Sequence, residues 1–305
     1  MADLRVRIGA LELKNPVISA SGTFGYGLEF ADMMDIKKMG AFCTKGLSLK
    51  PRAGNQMPRI CETPCGMINS IGLENVGIDA FEAEKLPKIR QTGATVIANF
   101  FGDTEADYVE AARRLAAMEG VHALEMNVSC PNVDKGGIEF GGDPAFLEKL
   151  TGAVKKVCDK KPLIVKLSPN VADIRPFALA VENGGGDAIS AINTLKGMGI
   201  DVKTRRPKIK RVFGGLSGPA IKPVALKMVY ECVKTVKIPV IGIGGIASLD
   251  DALEFLIAGA SAVQVGTMNF VEPAICQRLA EELNAYCDRE NIARVTDLIG
   301  TLQTD

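Results

Sequence analysis

Eight short apolar segments recur along the chain, and most are followed by a polar or glycine-rich loop and then by an amphipathic helical pattern. Apolar runs of this length, bounded by turn residues, are typical of buried strands. Strands that alternate with helices favour parallel βαβ units, and eight such units are the number that closes a (β/α)8 barrel. The predicted strands are Pro16–Ala20, Ala41–Thr44, Ala94–Ala98, Ala123–Met126, Leu163–Leu167, Ala188–Ile192, Val240–Ile243 and Ala262–Val265.

Three helix starts between these strands support the alternation. Thr104 and Ser248 each begin a capping-box pattern, and Asp143 precedes a proline that suits the first turn of a helix. We expect these helices to end near Gly120, Gly259 and Cys158. A doubly wound open sheet is the alternative to the barrel, but no GxGxxG follows the first strand and no Walker pattern is present.

An N-terminal β-hairpin and two long loops complete the predicted architecture. Leu4–Ile8 and Leu11–Lys14 alternate apolar and charged residues around a two-residue turn. The connections Lys45–Phe81, after the second strand, and Asn193–Gly218, after the sixth, have a length that is usual for functional or disordered loops. Because no low-complexity linker interrupts the chain, we expect one domain over residues 1–305.

Charge and cysteine usage exclude several classes of function. The 36 basic residues balance the 36 acidic ones, which argues against a nucleic-acid partner or an anionic membrane surface. No apolar run approaches the roughly 20 residues of a membrane-spanning helix. Charged residues interrupt the first seven positions, so no signal peptide is expected, and the predicted location is cytoplasmic. None of the eight cysteines forms a CxxC pair, so no metal site is expected in this chain.

The carboxyl ends of the predicted strands carry polar residues. In a barrel these ends form the face on which active sites lie. Each residue alone has a structural explanation, since asparagine favours turns and lysine often lies on solvated loops. Their recurrence at equivalent positions favours a shared site instead. The residues are Ser21, Lys45, Asn99, Asn127, Lys166 and Asn193, together with the pairs Gly244-Gly245 and Gly266-Thr267.

The last two strands both end in glycine before a helical segment. The loops after strands seven and eight of a barrel frequently hold a phosphate on backbone N–H groups. Lys166 and Lys45 could stabilise negative charge on a cofactor ring or a substrate. A phosphate near a ring suggests flavin mononucleotide (FMN), and pyridoxal phosphate or a sugar phosphate fits the same residues.

The segment that follows the fourth strand, Ser129 to Asn132, contains the candidate base. The only histidine, His122, precedes this strand rather than following it, so the base is not expected to be a histidine. Cys130 is the candidate, because a thiol with a reference pKa of about 8.5 becomes a usable base when nearby cations lower it. The alternative is an inert buried cysteine, which is the expectation for the other seven.

Nine motifs, in a fixed order, run through nearly the whole chain. They are NPVISASGTFGYG at 15–27, TKGLSLKPRAGNQMPRI at 44–60, GMINSIGLENVG at 66–77, NVSCPNVDKGG at 127–137, VKLSPNV at 165–171, INTLKGMGID at 192–201, GGLSGPAIKP at 214–223, IGIGGI at 241–246 and VQVGT at 263–267. This ordered set resembles the class 1 dihydroorotate dehydrogenases. A lone IGGI would be a weak match, whereas the ordered set is highly specific.

The resemblance implies one FMN across the barrel mouth and the oxidation of (S)-dihydroorotate to orotate in pyrimidine (UMP) synthesis. Cys130 falls at the position of the family's base, which removes a proton from C5 while a hydride leaves C6 for the flavin. The family's flavin positions correspond to Ser21, Lys45, Gly46, Asn99, Asn127, Lys166, Ile192, Gly218, Gly244, Gly245, Gly266 and Thr267. Its substrate positions correspond to Lys45, Asn69, Ser70, Ile71, Gly72, Leu73, Asn127, Asn193 and Thr194.

Within class 1, the NVSCPNVDKGG form with the following FGGDP is most similar to the 1B type. In that type a second subunit carries FAD and a [2Fe-2S] cluster and passes electrons to NAD. The absence of cluster ligands and of a dinucleotide fingerprint from this sequence agrees with such a partner. We therefore expect a homodimer core within a heterotetramer. The basic run KTRRPKIKR at 203–211 is interpreted as a solvated loop, with partner docking or attraction of an anionic substrate as alternatives.

Four other functions stay open at this point. They are a fumarate-linked class 1A enzyme, a pyrimidine reductase similar to dihydropyrimidine dehydrogenase, a non-redox aldolase or isomerase barrel acting on a sugar phosphate, and a flavin-binding subunit without catalysis of its own.

Overall fold

The computed structural model describes residues 2–129, 131–132, 138–139, 142–158 and 160–304. Cys130, the candidate base, therefore lies outside the described residues. The strands are β1 (Val6–Ile8), β2 (Leu11–Leu13), β3 (Val17–Ser19), β4 (Ala41–Cys43), β5 (Ile60–Thr63), β6 (Gly66–Asn69), β7 (Val96–Phe100), β8 (Ala123–Asn127), β9 (Pro131–Asn132), β10 (Ile138–Glu139), β11 (Leu163–Leu167), β12 (Ala188–Ala191), β13 (Leu195–Gly197), β14 (Ile200–Asp201), β15 (Arg206–Pro207), β16 (Gly214–Ser217), β17 (Val240–Ile243) and β18 (Ala262–Val265).

The helices are α1 (Gly77–Ala80), α2 (Leu86–Thr92), α3 (Glu105–Ala117), α4 (Pro144–Lys155), α5 (Arg175–Asn183), α6 (Lys222–Thr235), α7 (Leu249–Ile257) and α8 (Ile275–Arg289). A π-helical turn, Phe81–Lys85, joins α1 to α2. Short 3-10 turns lie at Leu28–Phe30, Pro219–Ile221, Thr267–Phe270 and Val295–Leu298.

Eight parallel strands close into a barrel in the order β11-β12-β17-β18-β3-β4-β7-β8. The predicted (β/α)8 barrel is confirmed, and the open-sheet alternative is wrong. Seven of the strands overlap their predicted ranges closely, but β7 begins two residues later than the predicted Ala94. The reason is local: Gly93 ends α2 with a φ of 66°, and the next two residues complete the turn into the barrel. Asn99 therefore lies within its strand, as Lys166 does in β11.

The predicted helix starts are confirmed. Thr104 and Asp107 form a reciprocal capping box at α3, as do Ser248 and Asp251 at α7. The Asp143 side chain caps α4 by accepting from a backbone N–H in the first turn. Each of these helices ends two or three residues before the predicted end, because the last residues form the turn that leads to the next strand.

The N-terminal hairpin is also confirmed, with Ile8 opposite Leu11 around the turn at Gly9. Gly9 has a φ of 57°, a conformation that glycine adopts without strain. This turn lies against Pro162 and Asp187, which precede β11 and β12. The hairpin therefore covers the amino ends of the strands, the end opposite to the predicted site.

The two long connections are not plain loops, which corrects the sequence-based interpretation. Together they form a four-stranded sheet in the order β13-β16-β6-β5, here called the mouth sheet. Strands β6 and β16 pair antiparallel with Asn69 opposite Gly215, and so join the two connections. A sheet of short strands becomes stable only when several of them pair, so neither connection shows the pattern by itself.

Among the described residues, no helix is long and apolar enough to cross a membrane, and no group of histidine, cysteine or acidic side chains could hold a metal ion. Five of the seven described cysteines are buried, in agreement with their predicted role as small core residues. The prediction is wrong for Cys61, which is partly exposed, and for Cys65, which is exposed. Both lie in or beside short strands of the mouth sheet rather than in the barrel core.

Candidate active site

A cavity of about 940 Å³ opens between the carboxyl ends of the barrel strands and the mouth sheet. All twelve residues at predicted cofactor positions line it, and so do all nine at predicted substrate positions. The structure thus brings together residues that lie up to 246 positions apart, from Ser21 to Thr267. The residue before Cys130 reaches the same place, because Ser129 lines the cavity too.

A buried carboxylate that the sequence analysis missed lies beneath two lining residues of the cavity, Asn99 and Lys166. Glu125 on β8 is fully buried. Its Oε1 accepts a hydrogen bond from Asn99 Nδ2 (2.7 Å), and its Oε2 accepts from Ser190 Oγ (2.9 Å) and Gln264 Nε2 (2.7 Å). Lys166 Nζ lies 3.9 Å from Oε1. Four other strands therefore contribute a partner to this one side chain.

The same carboxylate affects a neighbouring thiol. Burial, reinforced by the charge of Glu125, raises the pKa of the Cys43 thiol well above its ordinary value. Cys43 is thus held protonated in the barrel interior, where a thiol is neither a base nor a nucleophile. Burial likewise raises the pKa of Cys158, Cys232 and Cys276 to about 12.

The end of β8 is held by a cluster of amides and hydroxyls. Asn193 Nδ2 donates to Asn127 Oδ1 (3.1 Å) and to Ser129 Oγ (3.0 Å). The hydroxyl of Tyr108 donates to the Asn127 carbonyl (2.7 Å) from beneath. These contacts use both amide hydrogens of Asn193 and, with the Ser129 backbone N–H, both lone pairs of Asn127 Oδ1. The two fixed carboxamides therefore have the Asn127 amide nitrogen as a donor and the Asn193 carbonyl oxygen as an acceptor for a bound ring.

Cations outnumber carboxylates in the cavity lining. The basic residues are Lys45, Arg52, Arg59, Lys166 and Arg211, and the acidic ones are Glu74 and Asp103. Arg59 pairs with Glu74, whose Oε2 is also 3.9 Å from Lys45 Nζ, and Arg52 pairs with Asp103. The excess of positive charge favours an anionic ligand. Arg211 belongs to the basic run at 203–211, whose other charged residues are exposed.

Two glycine-rich loops form the part of the lining that suits a phosphate. Among the described residues, the backbone N–H groups of Gly244, Gly245, Gly266 and Thr267 have no hydrogen-bond acceptor. Gly245 has a φ of 75°, and a Cβ there would lie 2.8 Å from the Lys222 backbone nitrogen. Only glycine fits so close to the start of α6. Free N–H groups converging at a cavity wall are the usual donors to a phosphate.

A second unsatisfied group lies in the mouth sheet region. The hydroxyl of Ser70 is buried and has no partner among the described residues. It belongs to the segment 69–73, which lines the cavity at the predicted substrate positions. Buried polar groups are normally paired, so this hydroxyl fits a site that a polar ligand completes. The residues present thus fit both a phosphate-bearing cofactor and a polar, anionic substrate.

His122 lies at the other end of β8. Its Nδ1 accepts a hydrogen bond from the Val96 backbone N–H (3.0 Å). Burial and the charge of Lys161 lower the pKa of His122. The histidine therefore serves the fold at the amino ends of the strands, as its position in the sequence indicates.

Comparison with known proteins agrees with this geometry. The model of the dihydroorotate dehydrogenase family matches residues 3–287. The chain belongs to the dihydroorotate dehydrogenase family. The resemblance inferred from the nine motifs is therefore confirmed.

Several dihydroorotate dehydrogenases match over nearly their full length. The chain is 56% identical over 301 residues to a protein of Pelobacter propionicus, with 99% of both chains covered. It is 57% identical over 300 residues to one of Trichlorobacter lovleyi, with 98% of both covered. It is 52% identical over 301 residues to one of Maridesulfovibrio salexigens, with 99% of both covered. Each of these relatives is named dihydroorotate dehydrogenase B (NAD(+)), catalytic subunit.

Proposed function

We propose that this chain oxidises (S)-dihydroorotate to orotate in pyrimidine synthesis, with FMN as its cofactor and NAD as the final acceptor. The observation that carries the proposal is the single cavity that all the predicted cofactor and substrate residues line. The names of the relatives support the same activity.

FMN, when bound, would accept the hydride that leaves C6 of dihydroorotate. Gly244, Gly245, Gly266 and Thr267 would hold its phosphate through their free backbone N–H groups. Lys166, almost fully buried at the base of the cavity, would place a positive charge beside the ring.

The substrate would lie between the floor of the cavity, where Lys166 lies, and the mouth sheet. The amides of Asn127 and Asn193 would orient its ring, because the hydrogen bond between them fixes both. Ser70 would find a partner for its buried hydroxyl. Lys45 would face the carboxylate of dihydroorotate, since its pairing with Glu74 is long at 3.9 Å and leaves most of its charge available.

Cys130 would remove the proton from C5. Its support is positional: the residue before it lines the cavity, and β8 delivers that segment to the site. The described cysteines near the barrel core do not compete for this role, because burial raises the pKa of Cys43 and Cys276.

A partner subunit that carries FAD and a [2Fe-2S] cluster is the second part of the proposal. Support comes from the words "catalytic subunit" and "NAD(+)" in the names of the relatives. The assembly would be a homodimer of this chain with two partner subunits. A cytoplasmic location belongs to the same proposal, since a reducing compartment preserves free cysteines of the kind found here.

The test uses the purified protein under anaerobic conditions. It should be yellow, and dihydroorotate should bleach the flavin absorption. Cys130→Ser should retain the flavin and slow the bleaching by a factor of about 10² to 10⁴, the usual range for loss of a general base. Cys65→Ser, at an exposed thiol of the mouth sheet, is the matched control and should bleach at the normal rate.

The remaining outcomes separate the alternatives. A colourless protein that binds no flavin would favour a non-redox barrel, and a yellow protein that dihydroorotate leaves oxidised would contradict the proposed substrate. Reoxidation of the bleached flavin by fumarate, without a partner, would indicate the 1A type, and reduction of uracil or thymine would indicate the pyrimidine reductase. Co-purification of an iron-containing flavoprotein with NAD-linked activity is expected for the 1B type.

A further inference from the structure

Glu125 is the one carboxylate fully buried in the described barrel interior, and the catalytic scheme above gives it no part. It lies two residues before Asn127 on β8, so both side chains point to the same side of the strand. A buried charge is costly unless it is paired and hydrogen-bonded. Apolar residues would fill this position at lower cost, so its presence calls for a functional reason.

The partners of Glu125 divide into two groups. Ser190 and Gln264 are neutral, fully buried donors that satisfy Oε2 from the far side of the barrel. Asn99 and Lys166 approach Oε1, and both of them line the cavity. The carboxylate is thus anchored on one oxygen and connected to the ligand site through the other.

An ionised carboxylate can only accept hydrogen bonds, and this dictates the orientation of Asn99. The amide nitrogen of Asn99 donates to Glu125, which leaves its carbonyl oxygen directed away. That oxygen lies near Gly46: a Cβ atom added to this glycine would be only 2.9 Å from Asn99 Oδ1. Asn99 therefore presents an acceptor, not a donor, toward the segment Lys45-Gly46 at the cavity wall.

The relation to Lys166 is one of charge rather than of hydrogen bonding. A separation of 3.9 Å is an ion pair but is too long for a hydrogen bond. The lysine consequently keeps its N–H donors for whatever occupies the cavity. The positive charge beside the ligand and the negative charge below it cancel at longer range.

We propose that Glu125 is a positioning residue that orients Asn99 and Lys166 and lowers the reduction potential of the bound flavin. The proposal rests on the proposed function, because it requires the flavin to bind at this site. A hydride brings two electrons and one proton, so the reduced flavin carries one more negative charge than the oxidised form. Lys166 favours that charge and Glu125 opposes it. A lowered potential favours onward transfer of the electrons toward NAD.

The decisive measurement is the midpoint potential of the flavin-loaded protein against a redox dye. This potential reports the ratio of the affinities for reduced and oxidised FMN. Glu125→Gln retains the shape of the side chain and removes the charge. The ratio should rise about tenfold, which is about 30 mV for a two-electron couple. A merely structural role would weaken both affinities equally and leave the potential unchanged.

Three further variants complete the experiment. Glu125→Asp keeps the charge and should keep the potential, even where FMN binds less tightly. Ser190→Ala removes a hydrogen-bond donor that partly screens the charge of Glu125. The midpoint potential of the flavin should therefore fall slightly in this variant. Glu119→Gln, at an exposed carboxylate paired with Arg90 at the amino end of β8, should change nothing.

An unchanged or lowered potential in Glu125→Gln would overturn the inference. If Glu125→Gln does not fold, an unchanged or raised flavin potential in Ser190→Ala would overturn the inference. A wild-type protein that binds no flavin would refute the proposed function itself, and the two failures are therefore distinguishable.

Discussion

One lysine precedes strand β11 and another lies near its carboxyl end, and the two side chains are used differently. Lys161 precedes the strand, and its ammonium donates to the backbone carbonyl groups of Leu115 and Met118 at the end of α3. Lys166 lies at the carboxyl end, pairs with Glu125 at 3.9 Å and lines the cavity. The first lysine completes the hydrogen bonds of the fold, whereas the second keeps its donors for a ligand.

The same division holds for the rest of the barrel. At the amino ends, Asp187 accepts from the Leu163 backbone N–H (2.7 Å) and pairs with Lys155, while His122 accepts from Val96. At the carboxyl ends, the polar side chains bond mainly to one another around a cavity. The two ends thus separate stability from function, as is typical of (β/α)8 barrels.

The largest expected effect tests the carboxyl end. Lys166→Ala should slow flavin reduction by dihydroorotate about 10²- to 10³-fold, because a charge placed at the site of developing negative charge is lost. Stopped-flow absorbance would measure the rate. Lys161→Ala, at the lysine that precedes the same strand, is the matched control and should reduce flavin normally, with a loss of thermal stability instead. Equal losses of rate in both variants would abolish the distinction between the two ends.

The second effect tests the amino end. Ile8 of the hairpin is fully buried, and Ile8→Ala should lower the free energy of unfolding by about 3 kcal/mol, within the usual range for such a truncation. Denaturant unfolding measures it, and the rate of flavin reduction by the folded protein should stay unchanged. Arg7→Ala, at the exposed neighbour, should change stability by less than about 0.5 kcal/mol. A large loss of rate in Ile8→Ala would show that the two ends are coupled.

The smallest effect concerns the pH dependence of stability. Because burial lowers the pKa of His122, the unfolded chain, with a histidine pKa of about 6.5, binds the proton before the folded one does. His122 therefore has no effect on stability well above about pH 6.5 and destabilises the fold as the pH decreases below that value.

His122→Gln keeps an acceptor for the Val96 N–H and removes the titration. The difference in unfolding free energy between about pH 7.5 and pH 5.5 should be smaller in this variant than in the wild type, as urea unfolding at the two values would show. The rate of flavin reduction should be equal in both proteins. A pH dependence identical to that of the wild type would show that His122 does not titrate on unfolding.

Much of the site was accessible from the sequence because it depends on position along each strand. Asn127, Lys166 and the glycine pairs all follow or end an apolar run, and the end of a run is a local feature. Glu125 was missed because a single acidic residue within an apolar run gives no sign of its partners. Ser190 and Gln264 are 65 and 139 residues away.

The mouth sheet shows the same limit at the level of secondary structure. Its strands are three or four residues long, and their pairing across β6 and β16 joins segments about 146 residues apart. Such strands are stabilised only by their partners. The sequence therefore indicated two long connections but not that they close over one cavity together.

The sequence by itself determined the alternation of strands and helices, the capped helix starts and the hairpin, since these follow from the spacing of apolar and capping residues within a few turns of the chain. Only the tertiary structure decided which polar groups meet. Closure of the barrel brings the carboxyl ends of eight strands together. Glu125 receives hydrogen bonds from three other strands and the charge of Lys166 from a fourth only once that closure has occurred.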